Sequence, residues 1–304
     1  MDLRQLQAVL AVADHGTFSA AADALHTVQS NVSTHVARLE RELGVTLIDR
    51  AAGGLTEEGE LVVQRGRRVM AELEALVVDV AALRHEVQGT ARLGMIGTIA
   101  RWLAPQLLDV MATRHPNVHL VIVEGTSNLL EPQLSSGRLD MAVLNLPVPS
   151  EDLVTALLFD EDLVLVVPTD DPLARRGRLV LADVATLDLL LPPAGTAFRD
   201  ELDEATRPAG VVLRAKTELD GTWLIASLTF EGHGPAILPA SAVPGYMRDR
   251  WALVNVEGFP RRHVGVAQRR KGLLSAPARA TLEVLNELVQ GGGTDLPPGI
   301  HLRP

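Results

Sequence analysis

Between Gln29 and Arg38 the chain carries Gln29, Ser30, Asn31, Ser33, Thr34, His35 and Arg38, with no acid until Glu40. Amides, hydroxyls and a guanidinium at this density can pair with base edges and hold phosphates. The Gln29 amide matches the N6 and N7 edge of adenine, a pairing that discriminates by about 1 to 3 kcal/mol. Arg38 and Arg50 suit phosphate contacts that set register. Ser33 lies one turn from Gln29 on the same face, whereas His35 serves equally well as a solvated surface residue. No comparable concentration elsewhere points to catalysis. There are no cysteines among the 304 residues, so disulfides, cysteine-ligated zinc and thiol chemistry are excluded. Nucleophile-elbow, phosphate-loop and dinucleotide motifs are missing. His115 and His119 have the i, i+4 spacing of a metal pair, but Pro116 between them prevents a shared helical face. We therefore expect no enzyme activity, no cofactor and no metal.

The elements around these residues explain how they are presented. Leu3 to Asp14 reads as a helix ended by His15-Gly16, and Thr17 or Ser19 caps a second through Leu25. Val28, Val32, Val36, Leu39 and Leu43 then mark the apolar face of a third, stopped by Gly44. Two helices joined by a short break form a helix-turn-helix, whose second helix turns its polar face to the major groove. Val45 to Leu55, with Gly53-Gly54 at a turn, reads as a two-stranded wing.

From Glu57 to Val87 the spacing predicts one long helix. Val69, Leu73, Leu76, Val80, Leu83 and Val87 follow alternating steps of four and three, a seam on which two copies can pair or which packs on its own domain. Beyond Gly89, short apolar runs alternate with helical segments: Leu93 to Gly97, Val118 to Glu124, Leu139 to Leu144 and Leu163 to Pro168 read as strands, Trp102 to Arg114 and Leu129 to Ser136 as helices. Further helices near Phe198 and Thr222, with strands near Ala236 and Val264, suggest a second unit. Such alternation implies parallel sheets covered on both faces, with ligands at the carboxyl ends of the strands. The glycine- and proline-rich segment from Gly291 to Pro304 reads as a flexible tail.

Composition bounds these readings. With 47% hydrophobic and 22% charged residues the chain is globular. No signal peptide or apolar span of membrane length is visible, so a cytoplasmic location away from membranes is expected. The net charge of −10 runs against nucleic-acid binding, and the first 60 residues hold four arginines against nine acids. A rival reading is therefore a cytoplasmic small-molecule-binding module whose N-terminal helices mediate protein-protein contacts.

The run Phe18-Ser19-Ala20-Ala21-Ala22, followed by Leu25, Gln29-Ser30, Val32-Ser33, Val36, Leu39-Glu40, Glu42-Leu43-Gly44, Leu47, Arg50, Leu55-Thr56 and Gly59, resembles the signature of LysR-type transcription regulators. His115-Pro116-Asn117-Val118, Gly137-Arg138-Leu139-Asp140, Asp171-Pro172-Leu173-Ala174 and the turn Gly232-His233-Gly234-Pro235 resemble landmarks of that family's effector domain. The resemblance covers about residues 1 to 290. It implies an α+β multidomain chain: a winged helix-turn-helix over 1–60, a linker and dimerisation helix over 61–88, and an effector domain over 89–290. The last is built of two α/β, periplasmic-binding-protein-like subdomains, I at about 89–167 and 268–290, II at about 168–267, with the tail at 291–304. By the same resemblance the partners are double-stranded promoter DNA, a small-molecule effector, a second copy in a homodimer, a homotetramer beyond it, and RNA polymerase. DNA contacts fall to Gln29, Ser30, Asn31, Ser33, Thr34, Arg38 and Arg50. Effector contacts fall to Thr98, Ile99, Thr126, Ser127, Asn128, Asn145, Thr196, Phe198 and His233. Hydroxyls and backbone amides at strand ends suit an anionic metabolite such as a carboxylate, to which Arg101 and Arg199 can add charge. Thr27-Val28 and Asn31 depart from the commonest family residues, which alters base preference. The wing segment Ala51-Ala52-Gly53-Gly54 lacks the arginine often found there, shifting reliance to Arg50.

Overall fold

A computed structural model describes all residues except 50–52, 84–86, 291–295 and 303–304. Helix α1 (Leu3–His15) starts in a capping box. Asp2 Oδ1 accepts from Gln5 N and Gln5 Oε1 from Asp2 N, both at 2.9 Å. Thr17 caps α2 (Phe18–Ala24), and α3 (Gln29–Leu43) ends at Gly44 in the left-handed conformation. Leu6, Val9, Val32, Val36, Leu39 and Leu47 fuse these helices into one core. The wing is the antiparallel pair β1 (Ile48–Asp49) and β2 (Gly54–Leu55).

Helix α4 (Glu57–Ala82) is capped by Thr56, with Glu57, Glu58 and Glu60 in its positive first turn. Gly59 is required where α4 crosses the wing, because a Cβ there would lie 2.0 Å from the Leu47 carbonyl oxygen. The helix stops short of its sequence-based end. Leu83 is the capping residue, and Val87 lies beyond the helix. The cause is β3 (Gly89–Met95), which begins pairing at Gly89, so the helix must end before that point.

The remainder forms two six-stranded sheets. Subdomain I contains β3, α5 (Gly97–Arg114), β4 (Val118–Glu124), α6 (Ser127–Ser135), β5 (Met141–Leu146) and β6 (Leu153–Glu161). Subdomain II follows with β7 (Leu163–Pro168), β8 (Arg178–Val180), α7 (Leu181–Val184), β9 (Asp188–Leu191), α8 (Ala197–Thr206), β10 (Arg214–Glu218), α9 (Thr222–Phe230), β11 (Ala236–Pro239) and β12 (Trp251–Glu257). The chain then returns to subdomain I as β13 (Arg262–Arg269), α10 (Ala276–Gln290) and β14 (Ile300–His301). The strand orders are β14-β6-β13-β5-β3-β4 and β10-β9-β11-β7-β12-β8.

Three expectations change here. The sheets are mixed, not parallel throughout: β13 runs antiparallel to β5 and β6, and β7 antiparallel to β11 and β12. The strands put the two crossings between subdomains at Asp162 and in residues 258–261, not near Pro168 and Gln268. β7 already belongs to the second sheet, and β13 to the first along its full length. The third change concerns the tail. Its described part, 296–302, is docked: Leu296 packs on the core, Ile300 is buried, and β14 pairs antiparallel with the edge of β6. A free strand edge is satisfied in this way. Asp162 N donates to Gly299 O at 2.8 Å, and His301 Nε2 lies 2.7 Å from Asp162 Oδ2.

Candidate nucleic-acid interface and effector cleft

On α3 the apolar residues Val32, Val36 and Leu39 are fully buried, which forces the intervening polar residues outward. Gln29, Ser30, Asn31, Thr34 and Arg38 are exposed, and Ser33 is half-buried. Part of their bonding capacity is used locally: Thr34 Oγ1 donates to Ser30 O at 2.7 Å, and Asn31 Nδ2 to Thr27 Oγ1 at 3.0 Å. Gln29 and Ser33 instead line a hollow of about 470 Å³ between α3, the start of α2 and the wing, shared with Thr17, Ser19 and Gly53. Thr17 and Ser19 entered the sequence reading only as helix caps. Their position one helix away from the predicted contact residues needs tertiary packing to be seen. The N-cap of α3, Val28, offers no side-chain cap, so first-turn N–H groups remain available to an outside acceptor such as a phosphate. His35 turns aside from this face, with a buried Nδ1 that has no partner among the described residues. Arg50 and the wing residues Ala51 and Ala52 lie outside the described residues.

Along α4 the seam stays uncovered. Val69, Leu73, Leu76, Val80 and Leu83 are all exposed, joined by Val77, while Val87 is half-buried. The opposite side of α4 is tied to subdomain I. Arg68 Nε donates to Ser135 O at 2.8 Å and Arg68 Nη2 to Asp152 at 3.0 Å, and Asp79 Oδ1 accepts from Ala276 N at 2.7 Å. The Arg68 hydrogen bond and charge hold the Asp152 carboxyl below its ordinary value.

A cleft of about 320 Å³ opens between the two subdomains. Thr98, Thr126, Ser127, Asn128 and Asn145 line it from subdomain I, and Phe198 from subdomain II. Three predicted contacts fall elsewhere. Ile99 is fully buried in the core of subdomain I, where burial of such a side chain is worth about 1.5 to 3 kcal/mol. Thr196 is engaged as the cap of α8, accepting from Arg199 N at 3.4 Å and donating to Pro193 O at 2.8 Å. His233 is exposed beside Glu231, and its carbonyl accepts from Lys216 Nζ. Of the two extra cations, Arg199 pairs with Asp203 and Glu218, and Arg101 stacks over Trp223.

Glu124, Thr222, Trp223 and Arg262 also line the cleft and escaped the sequence reading. Glu124 ends β4 and Arg262 opens β13, and only the fold brings them together. Helices α5, α6 and α9 all begin at this cleft without a side-chain cap, so their partial positive N-termini converge there. Glu124 answers one of them: a Cβ on Gly97, the first residue of α5, would lie 2.5 Å from Glu124 Oε1. Arg262 is held by Glu201 at 3.2 Å with its guanidinium 5.2 Å from the Phe198 ring centroid. Burial raises the Glu201 pKa, and the Arg262 charge works against that rise. Asn145 Oδ1 is buried without a partner among the described residues. The cleft thus offers amide and hydroxyl donors, one carboxylate, the Glu201-paired guanidinium of Arg262 and one buried free acceptor.

Residues 3–60 match the family model for the bacterial regulatory helix-turn-helix protein, lysR family, and residues 84–290 match the LysR substrate binding domain. The chain belongs to the LysR family. As a LysR-type regulator it binds DNA through the winged helix-turn-helix and controls transcription in response to an effector taken up by the C-terminal domain. It is 30% identical over 295 residues to the DNA-binding transcriptional dual regulator OxyR of Escherichia coli K12, covering 95% of each chain. To a probable hydrogen peroxide-inducible genes activator of Streptomyces viridosporus it is 33% identical over 301 residues, covering 97% of this chain and 95% of the other. Among solved structures it is similar to a full-length OxyR cysteine variant from Pseudomonas aeruginosa, with a TM-score of 0.76 and 26% identity over 100% and 99% of the two chains. CbnR complexed with its target DNA gives a TM-score of 0.64 at 25% identity, over 94% and 99%. No helix among the described residues is long and apolar enough to cross a membrane, and no cluster among them has the makings of a metal site.

Proposed function

We propose that this regulator is switched by reversible binding of a small anionic metabolite in the cleft between subdomains, and that it acts on promoter DNA as a homodimer paired through α4. The convergence of three uncapped helix N-termini carries the anion reading. Glu124 refines it: the effector bears, besides its carboxylate, a hydroxyl or ammonium donor that this side chain accepts. Thr98, Ser127 and Asn128 hold the anionic end, Asn145 Oδ1 takes a second donor, and Phe198 and Trp223 cover the body. The ligand spans both subdomains, so binding changes their relative angle and re-spaces the two DNA-binding domains. Sequence-specific contacts come from Gln29 and Ser33, with Ser30, Asn31 and Thr34 beside them, while Arg38 and Arg50 hold phosphates. The homodimer reading rests on the exposed α4 seam, and a tetramer would extend it through the effector domains.

The absence of cysteine from the whole sequence removes thiol oxidation as a signal, despite the names of the relatives. Calorimetry with a panel of hydroxy acids, amino acids and the corresponding amides, which lack the carboxylate, tests the ligand class. Binding of the acids, lost with the amides and weakened in Glu124→Gln, is expected. Tight binding of the amides alone would overturn the anion reading.

A further inference from the structure

A second cavity, of about 500 Å³, lies where α5 of subdomain I meets the turns after β11 in subdomain II and the C-terminal segment at Pro297. It shares no lining residue with the effector cleft. Two of its walls carry buried nitrogens with no hydrogen-bond partner among the described residues: Trp102 Nε1 and Arg248 Nε. Both are donors only, and leaving such a group buried and unpaired costs about 1 to 3 kcal/mol. Arg101 adds a second guanidinium. Neither arginine has an acidic partner within 4 Å among the described residues, and no carboxylate lines the space. Ser241, 4% exposed, lines the same cavity. Behind it the fully buried Glu161 accepts from Ser241 N at 2.8 Å, and burial pushes its carboxyl pKa up, which lessens its opposition to an anion. Val243, Pro244 and Pro297 supply apolar surface.

We propose that this cavity is a second small-molecule site, built for a compact aliphatic carboxylate whose oxygens take the Arg248 and Trp102 donors and whose body rests on the two prolines. A forked guanidinium matches a carboxylate in two parallel hydrogen bonds, and the volume suits a small metabolite. The site straddles both subdomains, so its occupant favours one relative angle over others. Arg101 joins it to the effector cleft. Its guanidinium carbon lies 3.6 Å from the centroid of Trp223, which lines the cleft, and its Nη2 donates to Tyr246 Oη at 2.9 Å beside the second cavity. Ligands at the two sites therefore change each other's affinity, by the same factor in both directions.

The three tryptophans make the test site-resolved. Full-length protein with indole-¹⁵N tryptophan is titrated with glutarate, isovalerate and inorganic phosphate, with signals assigned from Trp102→Phe and Trp223→Phe. The expected result is a saturable shift of the Trp102 indole N–H with either carboxylate and weaker binding of phosphate, which cannot use the apolar wall. Arg248→Gln should weaken glutarate binding at least tenfold, and Asn145→Ala, on the cleft, should leave it within twofold. The Trp102 signal in unsubstituted protein keeps the test valid if Arg248→Gln fails to fold. No Trp102 shift with any probe, or phosphate binding as tightly as the carboxylates, overturns the proposal. Binding lost in Asn145→Ala but kept in Arg248→Gln also overturns it, while leaving the effector-cleft reading intact.

Discussion

Gln29 and Ser33 share a hollow with the wing, while Thr34 and Asn31 spend hydrogen bonds inside their own helix. Gln29→Ala should therefore relax preference at one base position by about 1 to 3 kcal/mol, read as a change in the binding-site logo. An unchanged logo would reduce Gln29 to a phosphate contact. Thr34→Ala should alter affinity far less. A second residue-scale effect concerns Glu161, whose pKa is raised first by burial and lowered in turn by Arg262 and Ser241. A carboxyl raised by folding favours the fold most below the ordinary glutamate value, and that contribution is lost as pH climbs through the raised value. Glu161→Gln removes the loss while keeping an acceptor for Ser241 N. Thermal melts should show the variant more stable than the parent at pH 8, with the difference closing toward pH 4. A variant less stable at pH 8 would mean that attraction to Arg262 outweighs burial.

At the level of elements, α4 presents Leu76 and Val80 to solvent on one side and holds subdomain I with Arg68 and Asp79 on the other. Leu76→Glu with Val80→Glu should turn the dimer into a monomer in sedimentation and abolish binding to a two-half-site operator, with the circular dichroism spectrum of the folded protein retained. A dimer that survives both would show that pairing lies elsewhere. Gly59→Ala forces a methyl against the Leu47 carbonyl and should cost about 1 to 3 kcal/mol, seen in chemical denaturation. These elements were legible because period-3.6 patterns with caps, as in α1 and α3, depend only on neighbours in the chain. The end of α4 was not, since Gly89 is recruited by β4, which comes some thirty positions later. Strands β6, β8, β9, β10 and β12 were not read from the sequence. β10 is exposed throughout and β8 spans three residues, so neither carries an apolar run. In the cleft, Thr98, Ser127 and Asn145 follow strands already legible as apolar runs, where the family resemblance places effector contacts, whereas Arg262 is defined only by meeting Phe198 across the fold.

Considered whole, the molecule carries −10 charges, and DNA must be approached against that background. Four arginines in the first 60 residues limit a dimer to a salt slope no steeper than about −7 in log K against log salt, at ~0.9 per phosphate neutralised. A steeper slope in anisotropy titrations would place further basic residues on the DNA. Having no cysteine, and with Met95, Met111 and Met141 buried, the protein should keep its operator affinity after hydrogen peroxide treatment that saturates thiols. Loss of affinity at such doses would point to an oxidation-sensitive methionine. The placement of β13 between β5 and β6 bears on how the chain is made. On the ribosome, the N-terminal domain and then subdomain II can close as soon as their last strands emerge. Subdomain I was begun before subdomain II but waits with one edge of β5 open and β6 unpaired until β13 arrives and β14 seals the outer edge. A chain broken off after residue 261 would thus carry a finished DNA-binding domain and subdomain II on either side of an open, aggregation-prone half-sheet. The segment from β13 to β14 decides whether subdomain I closes into a regulator's effector domain or stays a sticky fragment.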